Sequence, residues 1–125
     1  MDPQQYRTES DLLGTKQIPA DSLTGIHTAR ALENFGQAGG LVHPRLIRAY
    51  GLVKLACVNT NRDLGFIDGE KAAVIAQAAG ELASAALTAP APAALQGGAG
   101  TSTNMFVNEV IANRALAIAG RVAGD

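Results

Sequence analysis

A chain of 125 residues has room for one domain with a modest core, and its ten basic and eleven acidic side chains leave a net charge of −1 with no run of like charge. That balance argues against a nucleic-acid groove or an anionic membrane surface as partner, and a lone cysteine, Cys57, excludes an internal disulfide or a cysteine-based zinc site. The polar N-terminus lacks the apolar segment of a signal peptide and no later stretch has the length of a membrane span, so the expectation is a cytoplasmic protein without a membrane partner.

Along the chain, Tyr6 to Pro19 has no helical period and is punctuated by Gly14 and Pro19, which predicts two short strands or an extended arm. Asp21-Ser22-Leu23 offers an N-cap before Ile26, Ala29 and Leu32, spaced for one helical face, and a glycine-bearing loop follows from Gln37 to Leu41. Pro44 suits the first turn of a helix. Leu46, Ile47, Tyr50, Val53, Cys57 and Val58 then recur at helical spacing until Gly65 supplies a stop. Another helix is expected from after Asp68 to about Leu87, with Gly80 as a tolerated weakness, and TAPAPAA (Thr88 to Ala94) is an extended connector because of its prolines. The last helix is expected from near Ser102 to Asn104 as far as Ala119, ending at Gly120.

Alanine dominates this mainly α pattern, tryptophan is absent and aromatics make up only 4% of the chain. Small side chains allow helices to approach closely but bury little area each, so self-association is expected to complete the core.

The tract most suggestive of chemistry is QGGAGTSTN, Gln96 to Asn104. Gly97, Gly98 and Gly100 permit positive φ and close ligand approach, while Thr101, Ser102, Thr103 and Asn104 bring hydroxyls and an amide to a helix start. Free backbone N–H groups and the positive end of the helix dipole coincide there, so the fitting guest is an anion. A phosphate loop of the Walker type needs a lysine that this tract lacks, which makes a carboxylate the better candidate. The plain alternative is a turn followed by a hydroxyl-capped helix, and local features alone leave both open.

Three blocks, RTESDLLGTKQIPADSLTGIHTARALENF (Arg7 to Phe35), HPRLIRAYGLVKLACVNTNRDLG (His43 to Gly65) and QGGAGTSTNMFVNEVIANRAL (Gln96 to Leu116), resemble in order and spacing the N-terminal part of aspartate ammonia-lyases in the aspartase/fumarase superfamily. The resemblance runs from Arg7 onward. Fumarases typically carry TGSGTQTN where this chain has Gly97-Gly98-Ala99-Gly100-Thr101-Ser102-Thr103-Asn104, which favours the aspartase branch. It implies a short extended or hairpin arm followed by about four helices, forming an incomplete N-terminal lyase domain over residues 1–125. It also implies reversible elimination of ammonia from L-aspartate to give fumarate, without an organic cofactor, in a homotetramer with composite active sites. By the same resemblance Thr101 is the substrate-contacting threonine, with Gly100, Ser102, Thr103 and Asn104 beside it in the pocket and Asn108 one turn on. The serine base and the central helices lie beyond Asp125 in family subunits, so no catalytic residue is expected in this chain and turnover by it alone is not expected. A fumarate hydratase, or an inactive fragment acting as an interaction module, are the alternatives.

Phe106 stands where the family usually has asparagine, which sets an apolar ring near a polar site. Glu109 is expected to orient the site or cap a helix contact. His27 and His43 read as structural or surface groups, Cys57 as a small buried hydrophobe, and Lys54 and Arg114 as partners of acidic neighbours on helix surfaces. No cluster of ligands for a metal stands out.

Overall fold

The computed structural model describes residues 5–36 and 39–125, so the first two residues of the Gln37 to Leu41 loop lie outside the described residues. Strands β1 (Tyr6–Asp11) and β2 (Gly14–Pro19) form an antiparallel hairpin whose register runs from Tyr6 opposite Pro19 to Asp11 opposite Gly14. Four helices follow: α1 (Ile26–Phe35), α2 (Pro44–Asp63), α3 (Gly69–Ala83) and α4 (Thr101–Ile118). The fold is mainly α, with a two-strand arm ahead of the helices, as expected.

Arg7 locks the exit of the hairpin. Its guanidinium donates to the carbonyls of Pro19, Ala20, Ser22 and Thr24 at 2.9–3.1 Å and pairs with Glu9 at 2.8 Å. A planar, five-donor group suits this task, because one side chain reaches a run of carbonyls at the hairpin exit. Arg30 of α1 makes a two-bonded pair with Asp11 at 2.7 and 2.8 Å, which fastens the hairpin tip to the helix and holds the Asp11 carboxyl below its ordinary value.

Helix α4 is the hub and packs against α1, α2 and α3. Phe106, Val107, Val110, Ile111 and Ala115 join Ala78, Ala79 and Leu82 of α3 in the core. The small residues of α3 let α2 come close: a Cβ built on the buried Gly51 would lie 2.7 Å from the Ala83 backbone nitrogen. Arg114 of α4 bonds Glu81 of α3 at 2.6 and 3.1 Å, and this pairing draws the Glu81 carboxyl below its ordinary value of 4.5.

The helix ends follow local chemistry. Pro44 opens α2, and His43 caps it by accepting the Arg45 N–H at Nδ1. Gly65 takes φ +77° after α2, where the N–H groups of Gly65 and Phe66 reach the carbonyls of Arg62 and Asn61. Gly120 repeats this after α4 with Arg121 on Leu116. Thr88 to Ala94 is extended as expected, and it bridges back to Leu41 through Ala93.

Several expectations are corrected. Helix α3 ends at Ala83, short of Leu87, because Ala85 turns to φ +63° and Leu87 N–H returns to the Glu81 carbonyl. Asp21 does not cap α1: the cap position is Gly25, and carboxylates from elsewhere in the chain supply the bonds. On α1 the buried side chains are Ile26, Thr28 and Ala31, while Leu32 is exposed. Cys57 is exposed. The α2 face on which it sits has Leu46 and Val53 also exposed, since no element of the described residues covers it. Phe106 is 1% exposed, its ring in the apolar core with Ala78, Ala79 and Leu82 of α3.

Candidate functional site

The glycine tract closes as a tight loop before α4. Gly98 and Gly100 take φ +70° and +83°, conformations that disfavour a Cβ. Gly97 backs onto the Phe35 ring, where an added Cβ would meet Cζ at 3.1 Å. Gly100 is the N-cap of α4 and carries no side-chain acceptor, so the first-turn donors depend on outside groups.

Gln96 supplies one of them. Its Oε1 accepts the Thr103 N–H at 2.9 Å, while its Nε2 reaches Thr103 Oγ1 at 2.9 Å and the Ala93 carbonyl at 2.8 Å. Thr103 is 3% exposed, so its hydroxyl serves loop closure from inside. The Thr101 and Ser102 N–H groups have no acceptor among the described residues. Thr101 itself is exposed, with its hydroxyl above Gly98. Gly100, Thr101 and Ser102 therefore form an open donor edge, and Thr103 forms the wall behind it.

Asn104 and Asn108 extend from this edge down α4, both half-buried. The Asn104 side-chain Oδ1 accepts from Lys54 Nζ of α2 at 2.8 Å, in place of the acidic partner expected for that lysine. Arg114, by contrast, does pair with an acidic neighbour, Glu81. Lys54 and Asn108, with Cys57 and Asn61, line a cleft of about 260 Å³ floored by Val58 and Ile111. Tyr50, one turn before Lys54, brings its hydroxyl near Gly100, where an added Cβ would lie 3.8 Å away. Sequence reasoning gave no role at this site to Gln96, Tyr50 or Lys54. The one available signal was the four-residue step from Tyr50 to Lys54, which puts both on one α2 face.

Glu109 faces the other way. Its carboxylate accepts the N–H groups of Gly25, His27 and Thr28 at 3.0, 2.7 and 3.1 Å and the Thr28 hydroxyl as well, while Glu9 takes the Ile26 N–H at 2.7 Å. It is a helix cap, one of the two roles expected of it. His27 is exposed and joins this network through its backbone. Among the described residues no three His, Cys, Asp or Glu side chains gather as a metal site, and no helix is long and apolar enough to cross a membrane.

A family model described as lyase matches residues 14–123. The chain belongs to this lyase family. It is 46% identical over 123 residues to a class II fumarate hydratase of Halobacterium salinarum and 43% identical over 124 residues to an aspartate ammonia-lyase of a Bacillus species. The first alignment covers 98% of this chain and the second 95%, and each covers 26% of the relative, so the lyase chain spans about a quarter of the length of these curated relatives. A crystal structure titled fumarate lyase:delta crystallin from Brucella melitensis superposes with a TM-score of 0.92 at 42% identity, over 97% of this chain and 29% of that one. Aspartase and fumarase relatives at such similar identity establish the superfamily without separating its branches.

Proposed function

We propose that this chain is the N-terminal part of an aspartate ammonia-lyase, in which the loop before α4 holds a carboxylate of L-aspartate or fumarate. The observation that carries the reading is the open edge at Gly100 to Ser102: two first-turn N–H groups without acceptors, beside an exposed threonine hydroxyl, at the positive end of an 18-residue helix.

Elimination of ammonia from aspartate begins with loss of a weakly acidic Cβ proton and builds negative charge on the adjacent carboxylate. Donors fixed before the reaction, bound more tightly to that charge than to the ground-state acid, lower the barrier. Thr101, with the Thr101 and Ser102 amides, fits that task, and the Gln96 clamp keeps the donors from rearranging. Asn104 and Asn108 continue the polar edge. The base comes from elsewhere in the assembled enzyme, a homotetramer with composite sites. The exposed apolar side chains of α2, Leu46, Leu52 and Val53, support helical partners of this kind.

The second reading is a fumarate hydratase, favoured by the 46% identity to the Halobacterium enzyme. The glycine pair and Ala99, in place of the TGSG of fumarases, support the aspartase reading. Ultraviolet detection of fumarate separates the two: the complete enzyme is expected to release fumarate from aspartate and not from malate, and the reverse preference overturns the assignment. The 125-residue chain by itself is expected to turn over neither acid.

A further inference from the structure

The chain has three lysines, and two have acidic partners: Lys16 pairs with Glu33 and Lys71 with Asp68. Lys54 is half-buried and has none among the described residues. Its one hydrogen bond, at 2.8 Å, goes to the carboxamide oxygen of Asn104 in the first turn of α4. A lysine ammonium can only donate, so this contact fixes which way the amide faces. The oxygen turns toward Lys54, and the Nδ2 protons are left without an acceptor among the described residues. An uncompensated charge in a half-buried setting is screened less than one in open water, and here it sits behind the open donor edge.

We infer that Lys54 is a positioning residue for the carboxylate loop: its ammonium orients Asn104 as a donor and biases the start of α4 toward a doubly negative ligand. This rests on the proposed role of that loop in binding a dicarboxylate. Each added negative charge on the ligand gains from a cation that no carboxylate of the described residues neutralises.

The test uses the complete lyase and measures kcat and KM for fumarate-forming elimination together with thermal melting. Lys54→Met keeps the stem and removes the charge and the donor. It is expected to raise KM on the order of 10-fold while kcat changes several-fold less, an effect of the size expected for one partly screened charge. Lys54→Arg, which retains both, is expected to restore KM to near the parent value. Asn104→Asp turns the contact into an ion pair, cancels the charge and removes the Nδ2 donor, so it is expected to raise KM at least as far as Lys54→Met. Unchanged KM in Lys54→Met, or a loss that Lys54→Arg fails to restore, overturns the inference. So does a lowered melting temperature with unaltered kinetics. Thr101→Ala in the same series keeps the two readings apart: if it too leaves kinetics unchanged, the loop itself is not the site, whereas a defect there beside a silent Lys54→Met removes only the role of Lys54.

Discussion

The starts of α1 and α4 solve the same electrostatic problem in opposite ways. At α1 every early donor is satisfied by protein: Gly25, His27 and Thr28 give their N–H groups to Glu109, and Ile26 gives its own to Glu9. At α4 only Thr103 is satisfied from a side chain, by Gln96, and the two preceding amides stay open. The first start thus displays, within the same chain, what a carboxylate on a helix N-terminus looks like. The second has no carboxylate of the described residues on it, which is the position the proposed reading gives to the substrate. On the proposed reading, the difference is that between a structural terminus and a binding one.

The largest expected effect lies at the open start. Thr101→Ala in the complete lyase is expected to lower kcat/KM on the order of 10²-fold, the loss typical of one oxyanion donor, with the melting temperature held. Steady-state rates alongside a thermal melt check this. Unaltered kinetics would remove Thr101 from the site and leave α4 as no more than an uncapped helix.

At the filled start the same kind of truncation should act on stability. Glu109→Ala strands three backbone donors and the Thr28 hydroxyl, and the expected cost is about 2 kcal/mol or more. Glu109→Gln keeps an acceptor and should cost less. Urea unfolding distinguishes them. If Glu109→Ala proved neutral in stability, water would be as good a cap as the carboxylate, and the contrast between the two starts would lose its meaning.

How legible each start was in the sequence follows from the range of the interactions. Pro44, Gly65 and Gly120 marked helix boundaries correctly because prolines and left-handed glycines act on their own backbone. The hairpin and the proline-rich connector were readable for the same reason. The cap of α1 was not: Glu109 lies 84 positions from Gly25, and no local pattern links them. Lys54 and Asn104, 50 positions apart, meet only because α2 runs beside α4. Cys57 was expected to be buried from its periodicity, which marks an apolar face but not whether anything covers it. Phe106 was read by resemblance as a ring near a polar site, and what the structure adds is that the ring is buried in the apolar core.

A smaller effect comes from Gly80, which touches neither start. It has an ordinary backbone conformation, and a Cβ there would meet nothing within 4 Å. Gly80→Ala is expected to raise stability by up to ~1 kcal/mol through helix propensity alone, with kcat/KM unchanged. A kinetic change in this variant would mean that activity follows global stability, and the defect expected for Thr101→Ala could then no longer be read as lost ligand contact.

The smallest effect is the response to acid, because the carboxylates concerned sit in partly solvated pairs. Near α1, Arg30 draws the Asp11 carboxyl below its ordinary value, and between α3 and α4 Arg114 does the same to Glu81, each chiefly by hydrogen bonding to the ionised oxygens. A carboxyl whose folded value is depressed adds stability that is fully present above its unfolded value and disappears as pH falls through the folded one. For Glu81 that loss sets in below its ordinary value of 4.5, and at neutral pH the pair is intact. Melting temperatures taken from pH 7 downward should therefore fall in this acid window, and Glu81→Gln should flatten part of the slope while lowering the neutral plateau slightly. Asp11→Asn should do the same through the hairpin, on the side of the filled start. A Glu81→Gln profile as steep as the parent's would show that Arg114 gives α4 no charge-dependent hold on α3, leaving apolar packing to position the helix that presents the open donors.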